Sequence, residues 1–403
     1  MNRLLLNVTP NFPYPRYPLS GVFLARQLRQ LQGFGWDSVT VHPQALLSRQ
    51  SLGTPRSEDL GFCRVYRPTY LWGGWKIPHL LPFDESWAFE RALDRCVQRA
   101  VLPVRRPDIV VCNWFYPGGP GCIRLAESLG IPILLVARGD DVRRLGAMDR
   151  RHRQELVSVL MRTDAIVTNG RGLLEELRAA SPELAARAES VDFGVDTDLF
   201  RPAATAERIA ARQKLGLDPA GRTLLFAGRW EIAKGSRDIL AVIERVLPDF
   251  PGWDLLVAGP VEDRESAESI SRRFSGRFLG LVPQDELGAV YQAADLFLLL
   301  SHKEGQPNVV KEAMASGLAV LAYAVGGIPE IVDEGVNGLV VERLAVDAAA
   351  NALRRLLASA ELAQDLGRAA RQKIESTYGH RRRMAAFAER LGTLVDQRGR
   401  ASA

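Results

Sequence analysis

Thiols and imidazoles are scarce: 403 residues contain four cysteines and five histidines. Cys63, Cys96, Cys112 and Cys122 keep neither disulfide nor metal-ligand spacing, so they read as core or incidental residues of a protein in a reducing cytoplasm. The histidines are scattered, and no Ser-His-Asp or Cys-His set is legible, which sets aside the common nucleophilic hydrolase arrangements. No run of apolar residues approaches the ~18 that a membrane-spanning helix needs. The opening MNRLLLNVTPNFPYP has only a short uncharged stretch between Arg3 and Pro10, so neither a signal peptide nor a span is expected there. Neither G-x-x-x-x-G-K-[ST] nor G-x-G-x-x-G occurs, which sets aside Walker loops and dinucleotide turns. Aromatic residues do not interleave with the basic ones, and nucleic acid is not an expected partner.

What is present fits a two-domain α/β protein. The length accommodates two cores of ordinary size, and 25% charged with 47% hydrophobic residues is an ordinary globular balance. Candidate strands are Leu4–Val8, Ser38–His42, Asp108–Cys112, Ile131–Ala137 and Ala165–Thr168, then Thr223–Ala227, Asp254–Ala258, Arg277–Leu279, Leu296–Leu300 and Leu318–Tyr323. Helical periodicity fills the gaps, as in Phe23–Leu31, Leu173–Arg178 and Asp347–Leu357. Such alternation predicts two doubly wound parallel sheets of five strands each, with a ligand cleft between the domains. The net charge is +5, and its excess lies in the first 200 residues, concentrated in Arg91–Arg106 and Arg143–Arg162. These runs read either as solvated helix faces or as attraction to an anionic membrane surface or a phosphorylated lipid acceptor.

The most informative stretch runs from Leu296 to Gly338. An apolar strand is followed by a loop with Glu304, Gly305, Pro307 and Asn308, then by a helix starting near Asn308 or Val309 and stopping at Gly317. A second strand leads into Gly326-Gly327-Ile328-Pro329-Glu330. In open parallel sheets ligands bind beyond the carboxyl ends of strands, where helix N-termini present free amides. Glu304 at the strand end and Glu312 eight positions on would each hold a polyhydroxyl group, with the amides of residues 308–310 facing an anion between them. A nucleotide sugar has that layout. Taken alone, two such glutamates are ordinary solvated side chains.

Earlier in the same half, Gly228-Arg229-Trp230-Glu231-Ile232-Ala233-Lys234-Gly235 follows a strand. Arg229 and Lys234, five apart, are placed to clamp a diphosphate and to stabilise the charge that grows as it leaves. Gly21 starts the first helix after a proline-rich loop, Pro10 to Pro18, and would let a phosphate approach the backbone. Asn113-Trp114-Phe115-Tyr116-Pro117-Gly118-Gly119, beyond another first-half strand, is the acceptor-site candidate, with Trp114 its large aromatic.

Glu304-x₇-Glu312 with Ala313-Met314-Ala315-Ser316-Gly317, then Gly326-Gly327-Ile328-Pro329-Glu330 and Val336-Asn337-Gly338, resembles the signature of family 4 retaining glycosyltransferases of GT-B fold. Val195-Asp196-Thr197-Asp198-Leu199-Phe200-Arg201-Pro202 is similar to that family's interdomain segment, with Phe193 where asparagine is usual. The resemblance implies a GT-B architecture of two Rossmann-like domains. One would comprise residues 1–195 with a returning helix 379–403, the other the donor-binding domain 196–378. It implies that Glu304 contacts the transferred sugar, that Glu312 binds the ribose, and that Gly21 meets the diphosphate from the other domain. Gly305, Asn308 and Val309 complete the expected donor site. Where many relatives read H-G-x-D, this chain has Arg138-Gly139-Asp140-Asp141, so Asp141 matches and the histidine's role does not transfer. Arg138 would hold an anionic sugar or acceptor phosphate, or else pair with Asp140 or Asp141. Asp196 and Asp198 spell D-x-D in an interdomain turn, and no metal or cofactor is expected.

The reading is therefore a cytoplasmic, metal-independent retaining transferase acting on a nucleotide sugar and a glycan or lipid-linked acceptor, with peripheral contact to an anionic membrane as an option. The alternatives are a catalytically silent nucleotide-sugar-binding subunit, a phosphorylase or a nucleotide-sugar epimerase.

Overall fold

A computed structural model describes residues 2–14, 20–46, 48, 54–70 and 85–402. The chain divides into two compact units, Met1–Phe193 with Arg383–Ala403, and Gly194–Arg382.

In the first unit the strands are β1 (Arg3–Val8), β2 (Trp36–Val41), β3 (Gln44–Ala45), β4 (Ser57–Asp59), β5 (Cys63–Tyr66), β6 (Thr69–Tyr70), β7 (Ile109–Asn113), β8 (Ile133–Ala137), β9 (Ala165–Asn169) and β10 (Ala188–Val191). Among the described residues eight of them form one sheet in the order β10-β9-β8-β7-β1-β2-β5-β4, with β3 and β6 a separate short pair. Every neighbour in that sheet is parallel except β4, which closes a hairpin on β5. Buried runs such as Ile133-Leu134-Leu135-Val136-Ala137 explain the central position of β8, since both faces need apolar cover. The helix Val22–Gln32 and the C-terminal helix supply that cover on one face: Leu24, Leu28, Met384, Phe387 and Leu391 pack with Leu5, Val111 and Leu134.

In the second unit β11 (Arg222–Ala227), β12 (Trp253–Ala258), β13 (Gly276–Phe278), β14 (Leu296–Leu299), β15 (Ala319–Tyr323) and β16 (Leu339–Val341) form an all-parallel sheet in the order β13-β12-β11-β14-β15-β16. From β11 the chain winds one way through β12 and β13, then returns to build β14 on the other side. The topological switch point thus lies between β11 and β14, and the corresponding point in the first unit lies between β1 and β7.

Both sheets exceed the five strands expected of each. β10 and β16 are only four and three residues long and lie at sheet edges, and the β4–β5 hairpin is likewise an edge feature. The helix read at Asn308 spans Asn308–Ala315, and Gly317 beyond it takes φ +76°, the left-handed conformation that favours glycine.

Candidate active site

Backbone packing at the second unit's switch point comes before its side-chain chemistry. After β11 the chain makes one short turn, Ile232–Lys234, that ends at Gly235 in the left-handed region. A Cβ at Gly235 would fall on the Leu300 carbonyl oxygen, so only glycine lets this loop lie against the end of β14. The His302 amide then donates to the Ala233 carbonyl at 3.0 Å, and the His302 ring meets Asp238 Oδ2 at 3.0 Å. On the other side Gly326 is left-handed, and a Cβ there would fall on the Glu304 carbonyl oxygen. The Gly327 amide donates to the Gly305 carbonyl at 2.6 Å. Three strand-end loops are therefore locked together around residue 304.

That lock brings two expected residues into direct contact. Lys234 Nζ lies 2.8 Å from each carboxylate oxygen of Glu304. The lysine side chain is 32% exposed and the glutamate 9%, so the pair is recessed and its cation is the more open partner. Arg229 is placed differently: its Nη1 stands 3.4 Å from Glu262 and 3.9 Å from Glu231, on a side chain 56% exposed. Lys234 and Glu304 are thus one ionic unit, while Arg229 belongs to an open acidic rim.

Glu312 is buried on the second turn of the helix Asn308–Ala315 and accepts a 2.9 Å hydrogen bond from the Tyr291 hydroxyl. Burial and the neighbouring carboxylate push the Tyr291 phenol well above its usual range, so it stays a donor and holds Glu312 in one orientation. Tyr291 is held in turn between Phe200, edge-on at 5.3 Å, and Phe297, stacked at 6.0 Å. Of the helix-start amides expected to face an anion, that of Val310 is used by the Pro307 carbonyl at 3.2 Å, since the first turn tightens there. The amides of Asn308 and Val309 have no hydrogen-bond partner among the described residues. Beside them the space above Gly305 is open: a Cβ there would meet nothing within 4 Å. Neither Tyr291 nor the Asp238–His302 brace was legible as part of the site, because their partners are distant in the chain. Asp196 caps its own turn, accepting from the amides of Asp198 and Leu199 at 3.1 Å each.

In the first unit Gly21 opens the helix Val22–Gln32 at φ +61°, and a Cβ would fall on the Asn11 carbonyl oxygen. The loop after β1 thus gives one sufficient reason for glycine here; residues 15–19 of the proline-rich stretch lie outside the described residues. Trp114, directly after β7, is a non-glycine residue at φ +61°, its ring 6.1 Å from Phe23. Strain of this kind persists only where surrounding contacts enforce it, and it gathers at functional sites.

Asp141 is buried, with its carboxylate turned to backbone amides of Gly139 (2.8 Å), Phe115 (3.0 Å) and Arg138 (3.1 Å). Burial raises its pKa and these amides oppose the rise. It therefore ties the ends of β7 and β8 together. The Arg138 side chain pairs with neither Asp140 nor Asp141. Its Nε and Nη2 donate to Asn113 Oδ1 at 2.9 and 2.6 Å, and Nη2 donates to Gln27 Oε1 at 3.1 Å. Asp141 is already spent on amides, which leaves the guanidinium to neutral acceptors.

Against this geometry, residues 207–373 match the family model described as Glycosyl transferases group 1. The stretch includes Arg229, Lys234, Glu304 and Glu312. A D-inositol 3-phosphate glycosyltransferase of Segniliparus rotundus is 34% identical over 51% of this chain and 47% of its own length. A glycogen synthase of Mycobacterium tuberculosis is 26% identical over 84% of this chain and 83% of its own. The chain spans about half the length of the first curated relatives that it matches, 47% and 46%. Among solved structures, Anabaena Alr3699/HepE in complex with UDP and glucose superposes with a TM-score of 0.71 at 16% identity, covering 98% of this chain and 100% of that one. The fold is GT-B. No helix among the described residues is long and apolar enough to cross a membrane.

Proposed function

We propose that this protein transfers a sugar from a nucleoside diphosphate sugar, of UDP or GDP type, to an acceptor hydroxyl, with retention at the anomeric carbon. The observation that carries the reading is the recessed Lys234–Glu304 pair at the β11/β14 switch point, beside the free amides of Asn308 and Val309. Those amides and the lysine suit a diphosphate, and the oriented Glu312 carboxylate suits the two hydroxyls of a ribose. Arg229, on the same loop as Lys234, is the second cation offered to the phosphates.

In the proposed reaction the bond from the anomeric carbon to the diphosphate oxygen breaks as the acceptor oxygen bonds to the same face. The departing diphosphate takes the acceptor's proton. Lys234 stabilises the charge that accumulates on the leaving oxygen, which is the interaction that gains most in the transition state. Glu304, with both oxygens on the Lys234 ammonium, is a weak nucleophile, and this favours same-face substitution over a glycosyl-enzyme route. In this reading its task is to orient the sugar hydroxyls. No step needs a metal.

The acceptor is a glycan or a lipid-linked glycan, and the protein is cytoplasmic in this reading. Exposed Arg91, Arg95 and Arg99, with Arg91 4.9 Å over the Trp87 ring, support peripheral contact with an anionic membrane face. The reading is tested by incubating the protein with UDP- and GDP-sugars and a panel of acceptors, and following the anomeric proton by NMR. A product with the donor's anomeric configuration is expected; an inverted product, or none with any donor, overturns it.

A further inference from the structure

In the first unit a line of polar side chains crosses five neighbouring strands: Asn7, Thr40 and Asn113 near the carboxyl ends of β1, β2 and β7, Arg138 just past β8, and Cys63 at the start of β5. Cys63 of β5 meets Thr40 of β2 at 3.1 Å, and Thr40 Oγ1 accepts from Asn7 of β1 at 3.1 Å. Asn7 Oδ1 accepts from Asn113 of β7 at 2.7 Å, and Asn113 Oδ1 takes both bonds from Arg138, just past β8. The line crosses the β1/β7 switch point, where ligands of doubly wound sheets bind. Because Asn113 donates its amide nitrogen to Asn7, its oxygen is obliged to face the guanidinium.

A purely structural arginine at such a depth ordinarily has a carboxylate on it. Here every acceptor is a neutral amide oxygen, and no carboxylate comes within ion-pair distance among the described residues. The ring faces of Phe193 and Phe23, 4.5 and 5.2 Å from the guanidinium carbon, hold it from the sides. Burial lowers its pKa to about 9, so it still carries its charge at neutral pH. Nη1 has no hydrogen bond among the described residues, and the side chain is only partly buried. The fold fixes this cation with no carboxylate in contact with the guanidinium; the Asp141 charge acts on it only from a distance.

We propose that Arg138 binds an anionic group, a carboxylate or a phosphate, carried by the acceptor saccharide, with Asn113 as its positioning residue and Trp114 and Phe23 lying beside the sugar ring. The inference rests on the reading of the protein as a sugar transferase, but it concerns a different unit and a different ligand. A charge-assisted, forked contact gives such a saccharide an affinity advantage of about tenfold or more over its neutral counterpart.

The test is calorimetric binding of glucuronate, glucose 6-phosphate and glucose to the full chain, with UDP binding measured separately. Acidic saccharides should bind at least tenfold more tightly than glucose, the uronate and phosphate arms showing which anion is preferred. Arg138→Met should abolish the preference and leave UDP binding unchanged. Should that variant fold poorly, Asn113→Asp supplies an internal counter-ion for Arg138 and should erase the preference equally. Equal affinity for acidic and neutral saccharides, or a preference that survives both substitutions, overturns the proposal. Loss of UDP binding by the wild-type chain would count against the transferase reading instead, and the acid preference would be read independently of it.

Discussion

Lys234 bridges both oxygens of Glu304 at 2.8 Å, joining the loop after β11 to the loop after β14 across the switch point of the sheet. The two side chains are coupled, so removing either leaves the other's charge in a recessed position without its partner. Lys234→Ala or Glu304→Ala should each lower turnover at least ~100-fold, near the value of one preorganised charge stabiliser. The double variant should cost much less than the product of the two single effects. Steady-state rates on folded variants check this, and losses below about tenfold would remove the pair from the mechanism.

In the proposed donor site Tyr291 would act only through Glu312. Tyr291→Phe deletes the 2.9 Å hydrogen bond and keeps the ring between Phe200 and Phe297. Donor affinity should fall roughly fivefold, the worth of about 1 kcal/mol, while turnover at saturation stays nearly unchanged. Glu312→Ala should weaken donor binding further. Titration of the donor with each variant measures the split.

Gly326 and Gly335 both adopt positive φ, 54° and 71°, but only at Gly326 would a Cβ strike backbone. Alanine at Gly335 should cost about 1 kcal/mol of stability from the dihedral alone. At Gly326 the collision with the Glu304 carbonyl should add at least ~1–3 kcal/mol and displace the loop that carries Glu304. Denaturant midpoints of the two variants, with activity measured alongside, separate strain from steric conflict.

His42 is buried in the first unit with its Nε2 3.0 Å from the Pro10 carbonyl, and burial together with the Arg67 charge lowers its pKa to about 4. The unfolded chain binds this proton near pH 6.5. The stability tied to a neutral His42 is therefore complete above pH 6.5 and is lost as pH falls toward 4. The loss from this group should reach about 3 kcal/mol. Melting temperatures between pH 7 and 4 should drop less steeply in His42→Gln than in the wild type.

The outcomes differ in how much the chain alone disclosed. Leu296–Leu299 and Ala319–Tyr323 were legible because a strand buried on both faces needs an unbroken apolar run. Asn308–Ala315 was legible because loop-forming residues precede its periodic run and Gly317 ends it. Edge strands such as Ala188–Val191, exposed on one side, leave no such trace. At the site, Glu304, Glu312 and Lys234 stood out in the sequence, but neither the Lys234–Glu304 nor the Tyr291–Glu312 pairing did. Lys234 lies 70 residues from Glu304 and Tyr291 lies 21 from Glu312, and contacts at such separations follow from sheet order rather than local pattern. Arg138 was visible as an unusual residue; its amide acceptors, drawn from β7 and the first helix, were not.

Calorimetric titration of UDP- and GDP-sugars into the wild-type chain and into Lys234→Ala most directly tests the claim that this switch point holds an activated sugar's diphosphate. At least one donor should bind the wild type, with affinity falling about tenfold or more in the variant as a charge-assisted contact is lost. Wild-type protein that binds none of them, or a variant that binds as tightly as the wild type, would contradict the account.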